Sequence, residues 1–205
     1  MKLIAIIPAR SGSKRLKNKN RLNFGGKPLI NWTIDFVSKI KNLNNTVIST
    51  DDKSIIGKNQ SCKKIIFFKR QKKFCGDKVK TITIVFDVIK RYEKLFGKID
   101  TILLLQPTSP FRSKKNLEIG LKKYKKYKTK NSIVSVSKMK NSLKKNYIIK
   151  NSFLLRTNSK LNENKFQING NFYLASKNFL KKHKSFIVNN KTIPVILSGS
   201  RYKVD

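Results

Sequence analysis

The sequence predicts an α/β fold, a βαβ array whose mostly parallel sheet is flanked by helices. Three observations predict it. Leu3 to Pro8 form an uninterrupted apolar run, as in a strand buried on both faces of a parallel sheet. Further short strand signals recur along the chain, and helical patterns alternate with them, which is the rhythm of βαβ units.

After the first strand, a polar, basic, glycine-containing loop runs from Ala9 to about Gly26. Pro28 stands where a helix can start, and Leu29, Ile30, Ile34, Val37 and Ile40 give it an apolar stripe. Strands are expected at 46–49, 64–68, 101–105 and 132–136, with helices at about 52–59, 80–96 and 114–127. The rhythm then changes. Short β-like pieces at 147–149 and 153–155 are separated by Lys/Asn-rich turns and read as a hairpin excursion or a subunit contact. A strand at 172–175, a short helix at 177–183 and a strand at 193–197 resume the core pattern.

The 205 residues, 39% of them hydrophobic, suffice for one compact domain, and residues 1–205 are read as one. No apolar run approaches the ~20 residues of a membrane span. The first ten residues are interrupted by Pro8 and Arg10 and lack a small-residue cleavage site, so a cytoplasmic protein without a signal peptide is expected. Cys62 and Cys75 match no metal spacing or disulfide framework and are taken as free thiols.

A formal charge of +38 ordinarily points to nucleic acid. Here lysine supplies forty of the 48 basic residues, spread along the whole chain, while alanine occurs only three times, a bias that an AT-rich coding sequence would impose. Non-specific polyanion binding at low salt follows from that charge, and no specific nucleic-acid partner is expected. A nucleic-acid module would also interleave exposed aromatics with its cations. Most of the 13 phenylalanines, such as Phe36, Phe67, Phe68 and Phe86, instead fall in expected core elements. Against this lysine background the eight arginines carry information, because a guanidinium offers a planar fork for phosphate or carboxylate. Arg10, Arg70 and Arg112 sit at strand ends.

Ligands of open parallel sheets bind beyond the carboxyl ends of the strands. After the first strand comes Pro8-Ala-Arg-Ser-Gly-Ser-Lys-Arg-Leu-Lys-Asn-Lys-Asn20, whose backbone N–H groups and cations suit a triphosphate, although a plain basic turn would carry the same residues. The Walker spacing GxxxxGK[ST] is absent, which disfavours a P-loop NTPase. A second such segment is Leu103-Leu-Leu-Gln-Pro-Thr-Ser-Pro-Phe-Arg112, in which prolines stiffen the loop bearing Gln106, Thr108 and Ser109. His183 is the only histidine and ends a Lys-rich helix, so hydrolase and metalloprotease readings have no support.

Ile7-Pro-Ala-Arg-Ser-Gly-Ser-Lys14 with Lys19-Asn20, Ser49-Thr-Asp51, Leu104-Leu-Gln-Pro-Thr-Ser-Pro110 with Arg112, and Asn169-Gly170 with Tyr173 together resemble the acylneuraminate cytidylyltransferases, in the same order and at similar spacing. The resemblance covers nearly the whole chain. It implies a Rossmann-like nucleotide-diphospho-sugar transferase fold with a dimerising excursion at about 138–168. It also implies a reaction of CTP with an acidic nine-carbon, nonulosonic sugar to give the CMP-sugar and pyrophosphate. By the same resemblance Arg10 and Lys19 hold the triphosphate, Asn20 lies alongside, and the Ser11-Gly12 loop passes close to it. Arg70, Asp77 and Thr81 fall on the cytidine side, where Lys72-Lys-Phe-Cys-Gly76 departs from the family's usual residues. Gln106, Asn169 and Tyr173 are expected to line the sugar pocket, Phe186 to contact sugar in a neighbouring subunit, and Lys144 to oppose the sugar carboxylate. A further basic residue of the family falls near Ser159, leaving Lys160 or Arg156 to substitute.

Attack on an α-phosphate is mainly a matter of positioning and charge neutralisation, so Mg²⁺ is expected. Val204-Asp205 resembles the start of the family's Asp-x-Asp metal motif, which makes Asp205 the metal candidate. By the resemblance a second aspartate and a further helix are expected beyond it, and a truncated product, a fragment or a degenerate copy would each stop at this point. The alternatives are a cytidylyltransferase for the eight-carbon acid 3-deoxy-manno-octulosonate, an inactive homologue, and a basic polyanion-binding protein.

Overall fold

The computed structural model describes residues 1–12, 16–58, 64–127, 130–139, 146–158 and 164–199. They fall into two compact units, Met1–Pro110 and Phe111–Asp205.

The first unit carries strand β1 (Leu3–Pro8), the two-residue strands β2 (Asn23–Phe24) and β3 (Lys27–Pro28), helix α1 (Leu29–Ser38), β4 (Asn45–Thr50), α2 (Lys53–Lys58), β5 (Ile65–Lys69), a 3₁₀ turn (Lys72–Phe74), α3 (Thr81–Phe96) and β6 (Thr101–Leu104). Its sheet has the order β6-β1-β4-β5, with every pair parallel. Burial explains the apolar run of β1: Leu3 through Ile7 are all at most 2% exposed, and each such large side chain contributes about 2 kcal/mol over leaving it in water. Helix α1 starts directly after Pro28, whose φ of −52° suits a helix entry, and buries Ile30, Thr33, Ile34 and Val37 at the expected i, i+3, i+4, i+7 spacing. Helix α3 buries Ile84, Val85, Val88, Ile89 and Tyr92, and stops at Gly97, which takes the left-handed φ of 79° that a side chain would resist.

The second unit contains α4 (Lys114–Lys126), β7 (Ser132–Lys138), β8 (Asn146–Lys150), β9 (Phe153–Thr157), β10 (Phe166–Ser176), α5 (Lys177–His183) and β11 (Thr192–Ile196). Strand β7 pairs parallel with β11 and antiparallel with β10, while β8 and β9 form the expected hairpin, joined to β10 through Tyr147 opposite Phe166.

Three expectations need correction. The loop from Ala9 to Gly26 ends in the small β2–β3 pair, turned by Gly25 and Gly26, both at positive φ. Strand β10 runs eleven residues rather than four, because Asn169-Gly170 forms a bulge inside the strand and pairing continues on both sides of it. Of the four phenylalanines assigned to the core, Phe68 is buried, whereas Phe36, Phe67 and Phe86 are half-buried.

Candidate functional site

In the first unit the chain steps from β1 to β4 to β5 on one side, then returns to place β6 on the opposite side of β1. The crevice beyond the carboxyl ends of β1 and β6 is therefore a topological switch point, where open α/β sheets take their ligands. A cavity of about 300 Å³ lies at these strand ends. Arg10 and Pro8 reach it from the end of β1, Lys19 and Asn20 from the same loop, Arg70 from the end of β5, and Gln106, Pro107 and Thr108 from the end of β6. Phe74, Gly76, Asp77, Val79, Thr81 and Ile84 close the remaining wall. Seven residues singled out from the sequence, Arg10, Lys19, Asn20, Arg70, Asp77, Thr81 and Gln106, thus line one cavity.

Hydrogen bonds fix the loop that follows β1. Ala9 N–H donates to Ser49 O at 2.9 Å, Asn20 Nδ2 to Arg10 O at 2.9 Å, and Ser11 N–H to Asp51 Oδ1 at 2.7 Å. Ser11 Oγ donates to the second oxygen of Asp51, also at 2.7 Å. The Arg10 side chain is thereby launched from a clamped backbone; its guanidinium donates to Cys75 O at 3.1 Å and pairs with the Asp77 carboxylate. Asn20, only 4% exposed, spends its amide on Arg10 O, so its visible part is the support of the loop. Arg70 is buried at 6% exposure, donating through Nη2 to Ser49 O at 2.8 Å and through Nε to Ser49 Oγ at 3.2 Å. Neighbouring Asp52 takes Arg21 Nε at 3.0 Å and accepts from Ser54 N–H at 3.0 Å, which caps the start of α2.

The electrostatics follow from this packing. Burial pulls the Arg70 guanidinium below its ordinary value and Arg10 adds to the fall, while Asp51 and the Cys75 thiol oppose it. Burial raises the Asp51 carboxyl, but hydrogen bonds from the Ser11 side chain and backbone, from its own amide and from Cys75 outweigh that and hold it below the usual 3.8. The Cys75 thiol is pushed up by burial and by Asp51. Helix α3 points its N-terminus at the cavity through Thr81, with no side-chain cap and no acidic residue in its first turn. Its first-turn amides and dipole favour an anion there.

Other expected residues lie elsewhere. Ser11 and Gly12 are not among the cavity's lining residues; Ser11 supports the loop through Asp51, and a Cβ added to Gly12 would meet nothing within 4 Å. In the second unit Asn169 is 9% exposed and fixes the β10 bulge, accepting from Ser135 Oγ at 2.6 Å and donating to Ser137 Oγ at 2.9 Å. Tyr173 stacks edge-on against Phe186 with centroids 5.8 Å apart, and burial, with a contribution from Tyr147, pushes its phenol up to about 12. Arg112 donates from Nε to Asn171 O at 2.8 Å, its guanidinium pushed down to about 9 by burial. Arg156 lies in β9, with its N–H on Asn189 Oδ1 at 3.1 Å. Lys144, Ser159, Lys160, Asp205 and Cys62 lie outside the described residues.

Sequence reasoning passed over Phe74, the one aromatic ring on the cavity wall among the described residues, and it gave Asp51 no role. Phe74 was signalled only by its place in the Lys-Lys-Phe-Cys-Gly stretch, and Asp51 by the Ser-Thr-Asp that ends β4. Among the described residues no three His, Cys, Asp or Glu side chains gather to hold a metal ion, and the carboxylate on the cavity wall, Asp77, is paired with Arg10. These residues alone do not make a Mg²⁺ site. Among the described residues, no helix is long and apolar enough to cross a membrane.

A sequence model of the cytidylyltransferase family matches residues 4–195. The chain is 36% identical over 137 residues to the CMP-N,N'-diacetyllegionaminic acid synthase of Legionella pneumophila, covering 67% of this chain and 58% of that protein. It is 34% identical over 137 residues to the N-acylneuraminate cytidylyltransferase of Escherichia coli, covering 67% of this chain and 32% of that protein. The chain therefore spans less than two thirds of the length of either curated relative. A solved structure of CMP:2-keto-3-deoxy-manno-octonic acid synthetase complexed with CTP superposes with a TM-score of 0.73 at 16% identity, covering 96% of this chain and 91% of that one. At that identity the likeness establishes the shared fold.

Proposed function

This chain belongs to the cytidylyltransferase family, and from that premise we propose that it transfers the CMP group of CTP to a hydroxyl of an acidic nine-carbon sugar, releasing pyrophosphate. One observation carries the reading: Arg10, Lys19 and Arg70 meet Gln106 and the uncapped start of α3 around one cavity at the sheet's switch point. That combination suits a polyphosphate. Cations and amides are held where charge sits on the triphosphate and grows on the departing pyrophosphate.

In the proposed reaction the sugar hydroxyl oxygen bonds to the α-phosphorus, the bond from that phosphorus to the bridging β-oxygen breaks, and the hydroxyl proton passes to solvent. Arg10 and Lys19 neutralise the phosphates, Phe74 and Val79 offer apolar wall to the base, and Gln106 orients the sugar side by hydrogen bonding. By the resemblance Tyr173, neutral at working pH, is assigned to the sugar, and Phe186 to sugar held by a neighbouring subunit. Mg²⁺ would supply further neutralisation of phosphate charge, and by the resemblance Asp205 would be the residue that holds it. We assign the β8–β9 hairpin to a homodimer contact and the protein to the cytoplasm, where CTP is made; light scattering and cell fractionation test these two assignments.

The main experiment incubates the chain with each nucleoside triphosphate, with and without Mg²⁺, and a panel of eight- and nine-carbon acidic sugars, and measures pyrophosphate. Release confined to CTP with a nonulosonic acid and Mg²⁺ is expected. Release with the eight-carbon acid alone would replace the sugar, and no release with any pair would overturn the activity.

A further inference from the structure

Asp51, at the end of β4, does not touch the cavity, yet the segments that follow β1 and β5 converge on it. Both of its oxygens are taken by Ser11, one through the backbone N–H and one through Oγ, each at 2.7 Å. Cys75, in the loop after β5, helps to hold its carboxyl down, and Asp51 lends Coulombic support to the buried Arg70 guanidinium. A structural duty as helix cap is excluded, because the neighbouring Asp52 accepts the Ser54 N–H at the start of α2. Asp51 is therefore left to organise the loops.

Its leverage falls on Arg10. The backbone on the two sides of that residue is tied by three bonds: Ala9 N–H to Ser49 O, Arg10 O from Asn20 Nδ2, and Ser11 N–H to Asp51. Releasing the last of them frees the peptide that sets where the guanidinium points. A carboxylate two bonds removed from the cavity can thus govern a cation within it, without repelling the anion that the cation receives.

We infer that Asp51 is a positioning residue that, through Ser11, aims Arg10 at the phosphates of the nucleotide. This rests on the proposed function, in which the cavity takes a nucleoside triphosphate. Ordering the cation beforehand lowers the cost of binding, so the effect is read mainly in CTP affinity rather than in sugar affinity.

The test compares wild type with Asp51→Ala, Asp51→Asn and Ser11→Ala by calorimetric titration with CTP, steady-state kinetics and amide hydrogen exchange at Ser11. Two hydrogen bonds to an ionised carboxylate predict a Kd and KM for CTP raised about tenfold in Asp51→Ala, with the sugar KM unchanged. Asp51→Asn, which keeps the shape and loses the charge, falls between wild type and Asp51→Ala, and Ser11→Ala loses about threefold. Exchange at Ser11 speeds up in Asp51→Ala while the melting temperature stays within a few degrees. If Asp51→Ala fails to fold, Asp51→Asn and Ser11→Ala carry the same comparison. Wild-type-like CTP affinity in the variants, beside a wild type that binds CTP, would overturn the inference and leave the function standing. A wild type that binds no nucleoside triphosphate overturns the function instead, and unchanged Ser11 exchange overturns the inference in either case.

Discussion

The Arg10 guanidinium is paired with the Asp77 carboxylate across the cavity mouth while a second arm of the same fork holds Cys75 O at 3.1 Å. The cation proposed for the phosphates is thus already occupied by an anion from the loop after β5. A triphosphate bringing several negative charges would compete with that carboxylate. Asp77→Asn is accordingly expected to tighten CTP binding about threefold when both chains are titrated by calorimetry. Looser binding in Asp77→Asn would assign Asp77 to the nucleotide itself.

Arg10 is expected to be irreplaceable by lysine. Its fork serves Cys75 O and Asp77 together and offers further donors to a phosphate, whereas an ammonium is a point charge without that planar spread. Arg10→Lys should lower kcat/KM for CTP by about a hundredfold, close to the loss in Arg10→Ala, as measured by pyrophosphate release. Recovery by Arg10→Lys to within a few fold of wild type would reduce the residue's role to charge alone.

What the sequence made legible was whatever burial writes locally. The run Leu3 to Ile7 is apolar because both faces of β1 are covered, and the stripes of α1 and α3 sit at helical spacing because only one face of each is buried. The cations of the first loop stood out because they directly follow a strand. The pairings were not legible: Ser11 meets Asp51 forty residues on, and Arg10 meets Asp77 sixty-seven residues on, with nothing in either stretch to announce the other. The full length of β10 was not legible for a related reason: Gly170 takes its φ of 71° inside the strand, where the bulge rests on bonds from Asn169 to Ser135 and Ser137 of another strand.

Gly120 is expected to resist replacement. It faces inward on α4, and a Cβ there would stand 2.8 Å from Cε2 and 3.1 Å from Cζ of Phe172, a ring only 2% exposed. Overpacking of this kind costs about 1–3 kcal/mol, against at most about 1 kcal/mol returned by alanine's helix preference. Gly120→Ala should lower the melting temperature by about 3 °C in scanning calorimetry. An unchanged or raised melting temperature would mean that the Phe172 ring yields freely.

Acid should act on the first unit through Asp51. Its carboxyl titrates below the ordinary 3.8 in the folded chain, so the ionised form favours the fold. That contribution is fully present above pH 3.8 and is lost as pH falls through the lowered value. Asp51→Asn lacks it at every pH. The gap in melting temperature between wild type and Asp51→Asn should hold from neutrality to about pH 5 and close only in stronger acid. A gap that closes between pH 7 and 5 would contradict the lowered carboxyl.

Asn169 offers the sharpest contrast between two roles for one side chain. The resemblance assigns it to the sugar, while its amide holds the β10 bulge, taking Ser135 Oγ and Asn171 N–H on Oδ1 and giving Nδ2 to Ser137 Oγ. Alanine there would strip partners from two buried hydroxyls and a buried N–H, at a cost of about 2 kcal/mol. The bulge also sets the register from which Tyr173 continues along β10, so its loss should disturb Tyr173 as well. Asn169→Ala is therefore expected to lower the melting temperature by about 4 °C and to raise the sugar KM together with it, whereas Tyr173→Phe, which keeps the ring stacked on Phe186, should raise the sugar KM alone. Asn169→Ala with an unchanged melting temperature and a raised sugar KM would instead make the amide a direct sugar contact, with the bulge standing on its serines and Gly170.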